Sequence, residues 1–359
     1  MECKLVPRNV IHLIAGAYTR DGQAHGLTIL SDEAGVWQRT TADLPDLTNC
    51  SWLESGVASS GTGTGERYLL AAEENGAGKG RLARYDLSRA RLDRIDLGTD
   101  APCHILLTGD WVLVSNYSPG LVSCISLHED GFRLVAELEH SQPGQGGPED
   151  KAQDAQFSHT HQALLSPDGA ELAVTDLGFD RVYLYDWPAL RGVLDGLRQG
   201  QQAGSQVPRL RDRHRSELEL PLGEGPRHLV YSEDGLSLYI LTELGAGLWH
   251  YVRASDGWKP RERFSLGDIG MAAPSGLVLS PDQALLAAGV RGSNVIRTFV
   301  RNRRTGFLEP RQITDCGGDW PRSLYWLDNE TLLVCNERSG DLQVFSRDGQ
   351  DLLNTAEVT

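Results

Sequence analysis

The sequence predicts an all-β fold, a seven-bladed β-propeller, and three observations carry that prediction. A phrase ending in an Asp-Gly-type turn recurs along the chain. A short apolar strand follows each turn. Forty glycines and few helical periods accompany those strands.

The clearest copies of the phrase are His161-Gln-Ala-Leu-Leu-Ser-Pro-Asp-Gly169, Arg227-His-Leu-Val-Tyr-Ser-Glu-Asp-Gly235 and Ser275-Gly-Leu-Val-Leu-Ser-Pro-Asp-Gln283. Arg322-Ser-Leu-Tyr-Trp-Leu-Asp-Asn329 is weaker, and Cys103-His-Ile-Leu-Leu-Thr-Gly-Asp110 is degenerate. The turns at 169, 235, 283 and 329 fall 66, 48 and 46 residues apart. The long interval contains residues 191–217, rich in Gln, Gly and Arg, which read as an inserted surface loop. Without it the period matches the roughly 40–50 residues of a four-stranded blade, and the whole chain holds about seven such units. Residues 1–359 are therefore expected to form one propeller domain.

Each unit reads as strand, Asp-Gly hairpin, strand, polar turn, strand. The runs after the turns are Glu171–Thr175, Ser237–Leu241, Ala284–Ala288 and Thr331–Cys335. The next strands start at Val182, Leu248, Ile296 and Leu342. Asp168, Asp234 and Asp282 read as turn residues.

Bulk composition excludes some functions. The net charge is −15, which argues against nucleic acid or an anionic membrane as partner. No apolar run reaches membrane-spanning length, and no signal-peptide pattern opens the chain. The six cysteines form no CxxC pair and read as mostly buried thiols of a reducing, cytoplasmic compartment. Nothing in the sequence fixes an oligomeric state.

Phase within the repeat selects candidate site residues. His161 and Arg227 lie eight residues before their turn residue, and Arg322 lies seven before its own. Glu243 and Arg291 lie eight after theirs, while Asp176 and Asn336 lie seven after. Equivalent positions on successive blades lie on one ring, and innermost strands line a central channel. These residues are expected to converge on a solvent-filled funnel. His159 and His228 are out of phase and are expected toward the blade interior or the rim.

The same residues carry a resemblance. His159-Thr-His161, Ser166-Pro-Asp-Gly169, Thr175-Asp-Leu-Gly-Phe-Asp-Arg181 and Gly225-Pro-Arg-His-Leu-Val-Tyr231 resemble the seven-bladed lactonases of the 6-phosphogluconolactonase type. So do Val290-Arg-Gly292, Pro321-Arg322, Cys335-Asn336, Val114-Ser-Asn-Tyr117, Ala71-Ala-Glu-Glu74 and Ala15-Gly-Ala-Tyr-Thr19. That family includes carboxy-cis,cis-muconate cyclases. The resemblance implies hydrolysis of an anionic sugar-acid lactone, with 6-phosphogluconolactone the leading substrate. Muconate-type lactonisation and a non-enzymatic binding propeller are the alternatives.

A lactone hydrolase needs a base for water, donors for the developing oxyanion and cations for the substrate's own charge. By resemblance His161, Arg227, Glu243 and Arg291 are the catalytic set. His161 or Glu243 would be the base. Arg322, Asp176, Asn336 and Asn116 are expected to bind the substrate. The structural alternatives are a bracing histidine at His161 and an interstrand ion pair between Arg227 and Glu243. Glu74, Asn116, Asp176 and Asn336 could instead hold Ca²⁺, but Arg227, Arg291 and Arg322 would repel it. His159-x-His161 has no third ligand at motif spacing. The expectation is a site without metal or cofactor.

Overall fold

The computed structural model describes residues 2–7, 11–19, 27–33, 36–40, 47–57, 67–86, 91–128, 131–140, 157–201 and 206–358. Ahead of residue 47, side chains are described only at 15–19 and 28.

The described strands form seven sheets, six of four strands and one of five. In each blade the first four strands run from the inside outward in chain order, each antiparallel to its neighbours. The inner strands are Glu2–Pro7, Cys50–Val57, Pro102–Thr108, Thr160–Leu165, Pro226–Tyr231, Ala273–Leu279 and Pro321–Trp326. Each packs against the next, and the seventh against the first, which closes the ring. The propeller prediction holds, and all five repeat phrases fall on an inner strand plus its hairpin.

The turn chemistry of blades 4, 5 and 6 is one motif repeated. Ser166, Ser232 and Ser280 each donate their hydroxyl to the aspartate two residues on, at 2.5–2.6 Å. The same hydroxyls accept the first amide of the next strand at 2.9 Å. The following residue is left-handed in all three, with Gly169 at φ 68°, Gly235 at φ 66° and Gln283 at φ 62°. The turn is thus held by side-chain bonds well enough to keep a non-glycine residue in that region.

The cores lie between blades. Trp111, Leu113 and Val122 of blade 3 pack on Leu172, Val174 and Tyr183 of blade 4. Comparable clusters join blades 4 and 5, 5 and 6, and 6 and 7. Each fully buried aliphatic or aromatic side chain contributes about 1.5–3 kcal/mol. Cys50, Cys103, Cys124 and Cys316 are buried free thiols, and Cys335 is buried as well. The Cys3 side chain lies outside the described residues.

The span 191–217, expected as a loop, is largely ordered structure. Helix α1 covers Trp187–Gly200. Asp186 caps it by accepting the Ala189 amide at 2.9 Å, and Pro188 stands in the first turn. Trp187, Leu190 and Leu194 bury one face against blades 3 and 4. Arg209–Arg211 then adds a parallel strand to the outer edge of blade 3, and Ser216–Glu219 is the fourth strand of blade 4. The excursion covers an otherwise open sheet edge.

Candidate active site

The inner strands carry a bulge at an equivalent place in six blades. Pairing with the second strand skips Ser51, Cys103, His161, Arg227, Ser275 with Gly276, and Arg322. A bulged residue leaves the ladder and its side chain is re-aimed. The phase shared by His161, Arg227 and Arg322 therefore has a backbone cause.

Most of these side chains tie one blade to the next. Ser51 donates to Pro102 O at 2.5 Å, and the Cys103 thiol lies 3.4 Å from His161 O. Arg227 Nη1 donates to Ser275 O, and Ser275 donates to Pro321 O. Arg322 donates to the Tyr18 hydroxyl at 2.7 Å. His161 differs: its buried Nδ1 has no hydrogen-bond partner.

Around His161 a charged cluster assembles from three adjacent blades. Glu243 Oε2 lies 2.6 Å from Arg291 Nη2 and 2.9 Å from Arg227 Nε, the latter off the N–H axis. Arg227 Nη1 is 3.1 Å from His228 Nε2. The His228 ring meets His161 edge-on at 5.1 Å. Arg291 also donates to Ala273 O at 2.9 Å. His161, Arg227 and Arg291 are 3–6% exposed, so the expected solvent-filled funnel reaches only Glu243, whose side chain is 24% exposed.

The pKa shifts follow from this packing. Burial first, then Arg227, His228, Arg322 and Arg291, hold His161 well below the usual imidazole value, so it is neutral at pH 7. His228 is depressed by burial and by Arg227 in the same way. Burial and Arg291 bring Arg227 down to about 9 despite Glu243. Burial pushes Glu243 upward, but Arg291 and Arg227 outweigh it and hold it below the usual carboxylate value.

Residues 12–355 match the model for the lactonase family described as a 7-bladed beta-propeller. The chain belongs to the seven-bladed β-propeller lactonase family. It is 25% identical over 297 residues to a 6-phosphogluconolactonase of Bacillus subtilis, covering 78% of this chain and 77% of the relative. It resembles in fold the periplasmic gluconolactonase of Pseudomonas aeruginosa, with TM-score 0.78 at 24% identity, covering 97% of this chain and 95% of that one. A Lactobacillus plantarum protein matches with TM-score 0.77 at 21% identity, over 97% and 96% of the two chains.

Asp176, Asn336 and Asn116 do not join the cluster around His161. All three are fully buried and bonded within or beside their own blades. Asp176 accepts from the Ser158 hydroxyl at 2.6 Å and from the amides of His159, Gly178 and Phe179. Asn116 accepts from Thr99 at 2.7 Å and donates to Val114 O, Leu121 O and Ser123. Asn336 donates to Asp341 at 2.7 Å. The reason is alternation along the second strand: successive side chains point to opposite sides. These three are the last residues of their strands. One residue further on lie Tyr117, Leu177 and Glu337, and Glu74, Glu243 and Arg291 hold the equivalent place in blades 2, 5 and 6. Counting seven and eight residues from the turn as equivalent merges two opposite faces.

Arg322 belongs to a second cluster. It donates to Glu337 at 2.8 Å and to Tyr18, whose hydroxyl donates to Glu74. Burial works against its charge, but Tyr18, Glu337 and Glu74 raise its pKa above the ordinary value.

His228, expected toward the blade interior or the rim, instead joins Arg227 and His161, because the bulge at Arg227 shifts the alternation after it. Sequence reasoning also missed Tyr18, Glu337 and an aromatic group in the channel. Trp52 of blade 2 packs at a tilt against His104 of blade 3, with ring centroids 4.1 Å apart, and meets His228 of blade 5 edge-on at 5.7 Å. All three follow a bulged residue, which is the signal that would have found them. Among the described residues, no group of three or more His, Cys, Asp or Glu is placed to hold a metal. No helix there is long and apolar enough to cross a membrane.

Proposed function

We propose that this chain hydrolyses the ester bond of an anionic sugar-acid lactone, 6-phosphogluconolactone being the leading substrate. The observation that carries the reading is the pairing of one carboxylate, Glu243, with two buried arginines beside a neutral histidine that has an unpartnered nitrogen. Arg227 and Arg291 against Glu243 leave one surplus positive charge. A surplus cation in a nearly dry site favours an oxyanion far more than it would in water.

In this reading water attacks the lactone carbonyl and its proton passes to His161. Arg227 and Arg291 stabilise the tetrahedral oxyanion. That intermediate collapses by breaking the ring C–O bond, and the proton on His161 passes to the departing alkoxide. His161 is a weak base at rest, and the negative charge forming beside it strengthens it as the reaction proceeds. Glu243 is held ionised by its two arginines and acts by positioning them.

The 6-phosphogluconolactonase of Bacillus subtilis supports the substrate class. The free thiols support a cytoplasmic location, while the Pseudomonas gluconolactonase is periplasmic. The test is turnover of a panel containing glucono-lactone, 6-phosphogluconolactone and a muconolactone. Hydrolysis of the phosphorylated lactone is expected. Turnover of no sugar lactone overturns the reading, and cyclisation of carboxymuconate would then replace it.

A further inference from the structure

One backbone position contrasts sharply between blades. The residue just before the proline of the Pro-Arg phrase is left-handed in both blade 5 and blade 7. Blade 5 uses Gly225 there, at φ 61°, and blade 2 has Asn49 at φ 49° in its counterpart. Both residue types tolerate that region. Blade 7 uses Trp320 at φ 73°. A bulky aromatic residue there is an outlier, and Pro321 restricts it further toward extended geometry. Such conformations persist where surroundings over-determine them, and they cluster at functional sites.

Trp320 is held in place through its own backbone groups. Its amide donates to Asn294 Oδ1 at 3.0 Å, and its carbonyl accepts the Glu337 amide at 2.9 Å. Asn294 is itself tied to Asp319 at 2.8 Å. A glycine would make the same bonds without strain. The indole is half-buried and belongs to none of the interblade cores among the described residues. Its neighbours are cations: the Arg291 guanidinium lies 5.5 Å from the ring centroid and that of exposed Arg338 only 3.3 Å. Arg291 in turn grips Glu243.

We propose that Trp320 and Arg338 form a specificity platform, on which the non-reacting face of the lactone ring packs against the indole while Arg338 meets an anionic substituent remote from the ester. The proposal rests on the lactonase reading above and narrows its substrate to a ring bearing such a group. It also supplies the remote cation that Arg322, already bonded to Glu337 and Tyr18, is poorly placed to be. Strain at Trp320 is the cost of presenting the indole beside Arg291.

The experiment compares native protein with Trp320→Gly, Trp320→Phe and Arg338→Gln, on glucono-lactone and 6-phosphogluconolactone. Trp320→Gly rebuilds the Gly-Pro-Arg phrase of blade 5, so its melting temperature should equal or exceed the native value. Its KM should rise about tenfold on both lactones with kcat changed less than about threefold, and Trp320→Phe should recover most of the loss. Arg338→Gln should raise KM for the phosphorylated lactone alone. An unchanged KM in Trp320→Gly overturns the platform, as does a variant that melts several degrees lower or fails to fold, since the indole would then serve the fold. If native protein hydrolyses lactones while these variants behave as native, only the platform falls. If native protein hydrolyses neither lactone, the lactonase reading falls and the platform with it.

Discussion

The Pro-Arg phrase occurs twice on bulged inner strands, in blade 5 and in blade 7, and the two arginines end in opposite electrostatic states. Arg227 is brought down to about 9, whereas Arg322 is raised above its ordinary value. Burial opposes the charge of both. The difference lies in their partners. Arg227 shares the single carboxylate Glu243 with Arg291, and a neutral histidine takes another of its nitrogens. Arg322 has Glu337 to itself and reaches Glu74 through Tyr18. One side of the ring therefore carries uncompensated positive charge and an idle imidazole. On the other side one arginine faces two carboxylates, so no positive charge is left over. Identical local sequence sets the geometry of an arginine, but the carboxylates that converge on it set whether it can serve an incoming anion.

The sharpest test of this contrast is His161→Ala. Loss of the base on the positive side should lower kcat on 6-phosphogluconolactone by about 10²–10⁴ without unfolding the protein. Steady-state kinetics with circular dichroism measure both. Retained activity would move the chemistry away from blades 4 to 6.

The paired arginine variants come next. Arg227→Ala should lower kcat by about 10²–10³ as an oxyanion donor is removed. Arg322→Ala should lower kcat less than about tenfold, yet cost stability on the order of 2–3 kcal/mol by leaving Glu337 without its partner. Kinetics and thermal unfolding of the two proteins separate these outcomes. Equal losses of kcat would show that the two sides are not distinct.

The smallest effect is in the pH profile. A histidine whose folded pKa is depressed stays neutral until pH falls through that lower value. His161 should therefore leave kcat/KM flat from pH 8 to pH 6, where an ordinary histidine with a pKa of about 6.5 would already be mostly protonated. A break near 6.5 would mean that the base titrates as an exposed imidazole and is not buried His161.

Much of the propeller is legible from the chain because its signals are local. The Ser-x-Asp turns fix hairpins by bonds spanning five residues or fewer, and their recurrence, once the 191–217 excursion is set aside, reports a radial repeat. Blades 1 and 2 carry no such turn phrase and were reached only by dividing length by period. Helix α1 escaped because Gly192, Gly196 and Gly200 read as loop, although Trp187, Leu190 and Leu194 have helical spacing. The candidate site was legible in part. His161, Arg227, Glu243 and Arg291 are read from the repeat, and the structure brings them together. Asp176, Asn336 and Asn116 were grouped with them by a count one residue short.

The sequence by itself determined the strand repeat, its turns and the residue types at the bulged ring, because these depend on contacts a few residues apart. The tertiary structure decided which side of each second strand faces the channel, which carboxylate each arginine shares, and that His161 is neutral. Those properties arise between blades, from groups such as Glu243 and Arg291 that lie 48 residues apart in the chain and 2.6 Å apart in space. Charge state in a buried site depends on the sum of such neighbours, and no local pattern encodes that sum.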